Sequence, residues 1–192
     1  LFIVNVDWFF ISHRLPIALA AIKEGYEVHV ACGITDKKIL LESHGLIVHS
    51  LILSRSSVWI FSEFKILKQL FAIIKLVQPD ITHSITIKPV LYGNIVSRLL
   101  RVPVRIASIT GLGYVFIASG VRSKLFRVVI ALLYRLALSG AKIVIFQNNS
   151  DRDVLKKFSA IKPEQELFIR GSGVDLSLYP VLPEQEGRPV VM

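Results

Sequence analysis

The stretch VNVDWFFISHRLPIALA, Val4 to Ala20, passes from a buried-strand pattern into an amphipathic-helix pattern, with Asp7, Ser12, His13 and Arg14 around the turn. Ser, His and Arg side by side at a helix start suit an oxygen-rich or anionic ligand. The hydroxyl and imidazole form hydrogen bonds, the guanidinium supplies a forked positive charge, and the first helical N–H groups have no partners of their own. Ser12 reads as the N-cap of a helix near Leu15 to Glu24, and Arg14 in its first turn opposes the helix dipole unless an anion shares the place. A dinucleotide-binding turn would carry G-x-G-x-x-G here, but no glycine precedes Gly25, which excludes a nicotinamide-type dehydrogenase. Asp7 suits either a ligand hydroxyl or the helix-entry turn itself.

Thr86 and Lys88 follow a candidate strand, Gly93 sits on the next helix, and Gly111 with Gly113 follows the strand after that. Together they read as a polar cleft floor with two flexible positions, although ordinary turns use the same residues. His83 falls inside a strand and reads as a core or hydrogen-bonded histidine. His29, His44 and His49 have no partners at metal-ligand spacing, so no metal site is expected. The one cysteine, Cys32, lies in an apolar run and reads as a small core residue.

Positioning these groups requires alternating strands and helices. LFIVNV, EVHVA, LIVHSLI, DITHSI, VRIASI, AKIVIF and ELFIR read as strands. Helices are expected near Leu15 to Glu24, Lys37 to Ser43, Ile60 to Val77, Val90 to Leu100, Lys124 to Ser139 and Ser150 to Phe158, with Gly25, Gly45 and Gly140 ending three of them. This order implies an α/β, Rossmann-like three-layer αβα domain with a mainly parallel sheet, whose ligands lie at the carboxyl ends of the strands. Gln147 and Asn148 follow the sixth strand and can reach that edge. The Asn148 sequon reads as chance and the segment as a capped helix start. Residues 1–179 form the expected domain, and residues 180–192, rich in Pro and Glu, read as a linker and the start of a further domain.

Charge is unevenly placed. Between Asp80 and Asp151 there is no carboxylate, while nine Lys and Arg residues supply as much charge as the formal net value of +9. An anionic ligand or surface is the expected partner. The helix around SKLFRVVIALLYRLALSG is apolar on almost every side, so it is either buried or set against lipid. In the second case Tyr114 and Phe116 dip into the bilayer and Arg122, Lys124 and Arg127 meet anionic head groups. The uncharged run Ile106 to Val121 is too short, and too rich in glycine, to span a membrane.

Four separated segments, VDWFFISHRLPIALA, KPVLYGNIVSRLLRVPVRIASITGLGYVF, IFQNNSDRDVL and GSGVDLSLYP, resemble in order the N-terminal half of family 4 glycosyltransferases, particularly bacterial enzymes of O-antigen, capsule and exopolysaccharide assembly. The resemblance implies a GT-B architecture, in which the N-terminal domain mainly holds the acceptor and the C-terminal one the nucleotide sugar. It implies a retaining transfer with no metal or other cofactor. It implies that Ser12, His13, Arg14, Thr86, Lys88, Gly111, Leu112 and Gly113 line the acceptor side. Gly171, Ser172, Gly173, Val174 and Asp175 then form a hinge or donor-side loop. The implied partners are a nucleotide-sugar donor, a lipid-linked glycan acceptor and an anionic membrane surface, with the protein peripheral at the inner face of the plasma membrane. Many relatives carry Thr-His-Gly where this chain has Ile109, Thr110 and Gly111, so no general base is assigned. A GT-B nucleotide-sugar epimerase is the rival enzyme. A basic nucleic-acid-binding module is the rival of another class, disfavoured because the basic residues are interleaved with aliphatic side chains rather than stacking aromatics.

Overall fold

The computed structural model describes residues 1–52, 60–112, 121–173 and Leu176. Seven parallel strands form one sheet: β1 (Phe2–Val6), β2 (His29–Gly33), β3 (Ile47–Ser50), β4 (Ile81–Ile85), β5 (Val104–Ile109), β6 (Ile143–Phe146) and β7 (Glu166–Phe168). Their spatial order is β3-β2-β1-β4-β5-β6-β7. All seven coincide with the β-rich runs of the sequence, whose apolar residues suit a sheet covered on both faces. The chain reverses its direction of travel between β1 and β4, the place where such sheets open a crevice.

Alternate residues of β1 show how the layers form. Phe2 and Val4 pack with Phe10, Ala18, Val30 and Leu41, beneath α1 (Asp7–His13), α2 (Leu15–Lys23) and α3 (Lys38–Ser43). Ile3 points the other way, to Ile66, Leu70 and Ile74 of α4 (Ile60–Val77) and Val96 of α5 (Asn94–Leu99). That second face continues under α6 (Val121–Leu138) and α7 (Asn149–Lys157), where Ala107, Ile109, Val144 and Phe146 meet Tyr134, Leu138 and Leu155. Cys32 is fully buried, and burial pushes its thiol up to about 12, so it is a core residue.

Two local differences from the sequence reading matter for the site. The turn after β1 is a helix, α1, which starts at Asp7 and meets α2 at Arg14. Ser12 is therefore inside α1, donating back to the Trp8 and Phe9 carbonyls, and does not cap α2. The helix expected from Val90 begins instead as a π-helical turn, Pro89–Gly93, that runs into α5. A Cβ at Gly93 would stand 2.6 Å from Ser84 Oγ, so glycine lets this turn press onto β4.

Candidate functional site

Asp7 fixes the entry to the site without facing a ligand. It is fully buried and accepts hydrogen bonds from the Trp8 N–H (2.8 Å), the Thr35 N–H (2.8 Å) and hydroxyl (2.8 Å), and the Lys37 N–H (3.1 Å). Burial alone would raise its pKa, but those four bonds hold it below the usual carboxylate range. Of the two roles open to Asp7 in the sequence, the structural one is observed.

At the other end of α1, the His13 ring stacks on Phe9 with centroids 4.4 Å apart. Its Nδ1 lies 2.6 Å from Ser12 Oγ and 3.2 Å from the Phe9 carbonyl. A carbonyl only accepts, so these neighbours select the Nδ1–H tautomer, with Ser12 accepting from it and donating to Trp8. Nε2 then presents a lone pair and has no hydrogen-bond partner among the described residues.

Arg14 is only 5% exposed. Its Nη1 donates to the His13 carbonyl (3.0 Å) and to Ser172 Oγ (2.7 Å), while its Nε is buried without a partner. Burial lowers its pKa. Among the described residues no carboxylate pairs with it, and an uncompensated buried charge costs about 3–5 kcal/mol. Gly171 and Gly173 bracket Ser172 with φ of +72° and +71°, a conformation glycine adopts freely.

Two adjoining cavities open at this edge. One, of about 270 Å³, is lined by Phe9, His13, Thr110, Gln147, Gly171 and Ser172. The other, of about 130 Å³, adds Arg14, Ile17, His83, Ser108, Ile145 and Ile169 around the same Gln147, Gly171 and Ser172. Among the described residues no carboxylate lines either cavity. His83 Nε2 is 2.8 Å from Ser108 Oγ. Burial, then the nearby Arg14 and N-terminal charges, push His83 down to about 3, so it is neutral at physiological pH.

The other expected residues are placed as follows. Thr86 takes a left-handed backbone at φ +75°, strained for a β-branched residue, with its hydroxyl buried and without a partner. Lys88 is engaged by Glu63 of α4 at 2.7 Å, with both side chains about four-fifths buried, so its charge is already matched inside the fold. Leu112 faces the core at 3% exposure and is not a cleft side chain. A Cβ at Gly111 would meet nothing within 4 Å, so space rather than packing surrounds it. Asn148 caps α7 by accepting from the Asp151 N–H, which leaves Gln147 as the cleft residue of that pair. Gly113, Tyr114, Phe116, Val174, Asp175 and residues 180–192 lie outside the described residues, as do the side chains of Arg122 and Lys124. Arg127 is half-buried. His29 joins Glu27 (2.7 Å) and His49 (2.8 Å) at the far end of the sheet, and among the described residues no group of three or more such side chains could hold a metal ion.

Phe9, His83 and Ser108 were not singled out for the cleft by sequence. The one available signal was the i, i+4 spacing of Phe9 and His13, which puts them together once α1 is known to be a helix.

The family described as "Glycosyl transferase 4-like" matches residues 1–148. The chain belongs to that family. It is 28% identical over 177 residues to the N,N'-diacetylbacillosaminyl-diphospho-undecaprenol alpha-1,3-N-acetylgalactosaminyltransferase of Campylobacter jejuni, covering 90% of this chain and 46% of that one. Among solved structures it resembles Anabaena Alr3699/HepE in complex with UDP and glucose, at TM-score 0.59 and 17% identity over 94% of this chain and 47% of the other. It also resembles a putative UDP-N-acetylglucosamine 2-epimerase of Listeria monocytogenes, at TM-score 0.55 and 13% identity over 86% and 44%. The chain thus spans about half the length of the relatives it matches, and the structural likenesses establish the Rossmann-like fold.

Proposed function

We propose that this chain is the acceptor-side half of a retaining glycosyltransferase that moves a sugar from a nucleotide-sugar donor onto a polyprenyl-diphosphate-linked glycan, in bacterial surface polysaccharide synthesis. Family membership and the Campylobacter relative, whose name describes a lipid-diphosphate-linked acceptor, support the reaction class. One observation carries the assignment of this half: Arg14 is buried beside an open cavity with no carboxylate to balance it among the described residues. A diphosphate or phosphate there accepts from the guanidinium and from Ser172, offsetting the cost of the buried charge. His13 Nε2, on the same edge, accepts a hydrogen bond from the sugar hydroxyl that is to be glycosylated. The donor is held mainly by a second domain, the transfer needs no metal, and the protein works at the inner face of the plasma membrane.

The epimerase shares the fold, so the fold does not separate the two. An epimerase calls for a cluster of carboxylates and histidines to take and return protons, and the described lining of these cavities holds histidines with no carboxylate beside them. In a transfer assay with a donor-binding domain joined to this chain, Arg14→Ala should lower kcat/KM for the lipid-linked acceptor about tenfold or more, with donor KM unchanged. His13→Gln should lower kcat. Unchanged kinetics in folded variants would reject the assignment, and acceptor-independent conversion of the sugar nucleotide would favour the epimerase.

A further inference from the structure

The outward side of α4 is not the polar surface that water calls for. Phe64, Phe71 and Leu76 are 71%, 43% and 77% exposed. Lys65, Lys68 and Lys75 are exposed among them. At 100° per residue these six fall within one face of about 140°, opposite the buried Ile66, Leu70 and Ile74. The neighbouring helices repeat the composition. Leu99 at the end of α5 is 69% exposed beside Arg98 and Arg101, and α6 turns outward Val128, Val129, Leu132 and Leu136, each 46–58% exposed, with Arg135. Arg98 reaches the Leu136 carbonyl at 3.4 Å, so the α5 and α6 parts adjoin.

The only carboxylate in these three helices is Glu63, and it is turned inward to Lys88. A layer of helices with exposed phenyl and aliphatic groups among cations, and with Asp80 beside Lys75 and Arg101 as the exposed anion at its margin, is matched by an anionic lipid surface: the apolar groups enter the interfacial zone while the lysine stems carry their charges to phosphates. Nucleic acid would match the charge but leave Phe64 and Leu76 in water. No described helix is long and apolar enough to cross a membrane, so the contact lies on the bilayer.

We propose that the outer faces of α4, α5 and α6 form a docking surface for an anionic bilayer, centred on Phe64, Lys65, Lys68 and Phe71. This deepens the reading above and rests on it for the purpose of the contact. The Glu63–Lys88 pair ties the start of α4 to the carboxyl end of β4, so the docked helix begins at the sheet edge where the acceptor cleft opens.

The test is co-sedimentation of the chain with vesicles of phosphatidylglycerol and phosphatidylcholine, against phosphatidylcholine alone, with no donor or acceptor present. It therefore stands or falls apart from the transfer reading. Binding should require phosphatidylglycerol, weaken as salt rises, and fall at least about a hundredfold in Lys65→Glu/Lys68→Glu/Lys75→Glu, since each lysine near the surface contributes about 1 kcal/mol and each glutamate adds repulsion. Phe64→Trp gives a second reading that keeps the charge. Relative to the parent chain, the emission added by this variant should shift to the blue with anionic vesicles and be quenched by lipids brominated on their chains. Indifference to lipid charge, full binding by the triple variant with unaltered circular dichroism, no blue shift in the Phe64→Trp variant, or binding to duplex oligonucleotide without vesicle binding would each overturn the proposal.

Discussion

Arg14 and His83 show how one buried charge organises its surroundings. Arg14 stays desolvated with Ser172 and a backbone carbonyl as partners, and its field helps to keep His83 neutral. His83 therefore has a folded pKa near 3 against an ordinary value of 6.5. Between those values the unfolded chain binds the proton and the folded one does not, so this group's contribution to stability is complete above about pH 6.5 and is lost as pH falls toward 3. Replacing it by a group that never titrates, His83→Phe, should flatten the fall of Tm between pH 7 and pH 4. The fall should shrink by about 2–4 °C for each kcal/mol of penalty removed. An equally steep fall in the variant would show that other groups govern acid lability. The sequence marked Arg14 as a cation in need of an anion, and the structure keeps that need while changing its cause. The residue is at once the C-cap of α1 and the N-cap of α2, so the two helix ends oppose each other in their effect on a cation and burial makes the demand.

At the scale of elements, the strands were legible because a parallel sheet covered on both faces demands short, nearly continuous apolar runs, and each of the seven runs is one. The helix ends at Gly25, Gly45 and Gly140 were legible for a similarly local reason, since each takes a left-handed φ of +73° to +88°. Helix α1 was not. It has no side-chain N-cap, and Ser12 with Pro16 imitates the start of the next helix so well that the seven residues before Arg14 read as loop. What orders α1 is long-range: Phe10 packs edge-on against Phe2, and Asp7 ties its first turn to Thr35 and Lys37. Asp7→Ala removes the shared charged acceptor of four N–H and O–H groups, and should cost about 3 kcal/mol or more in denaturant unfolding, with loss of the proposed acceptor site beside α1. A cost below about 1 kcal/mol would mean that α1 is held by Phe10 alone. The surroundings of Lys88 and Leu112 were illegible for the same class of reason. A strand-end position in sequence does not reveal that Glu63 from a distant helix has taken the lysine, or that a loop turns its leucine inward.

For the whole molecule, the central claim is a division of labour, in which this half recognises the acceptor and leaves the sugar nucleotide to another domain. The absence of a glycine phosphate loop after β1, the buried Arg14 and the lack of carboxylates in the described lining of the cavities all bear on it. In the proposed reaction, bringing donor and acceptor together in one closed cleft would exclude water and fix their orientation, which this chain is not expected to do alone. The most direct measurement is titration calorimetry of the 192-residue chain, in detergent, with a short-chain polyprenyl-diphosphate sugar and separately with nucleotide sugars. The account predicts saturable binding of the lipid-linked sugar, abolished by Arg14→Ala, and no measurable heat from the nucleotide sugars. Saturable, tight binding of a nucleotide sugar with none of the lipid-linked one would contradict it and reverse the roles of the two halves.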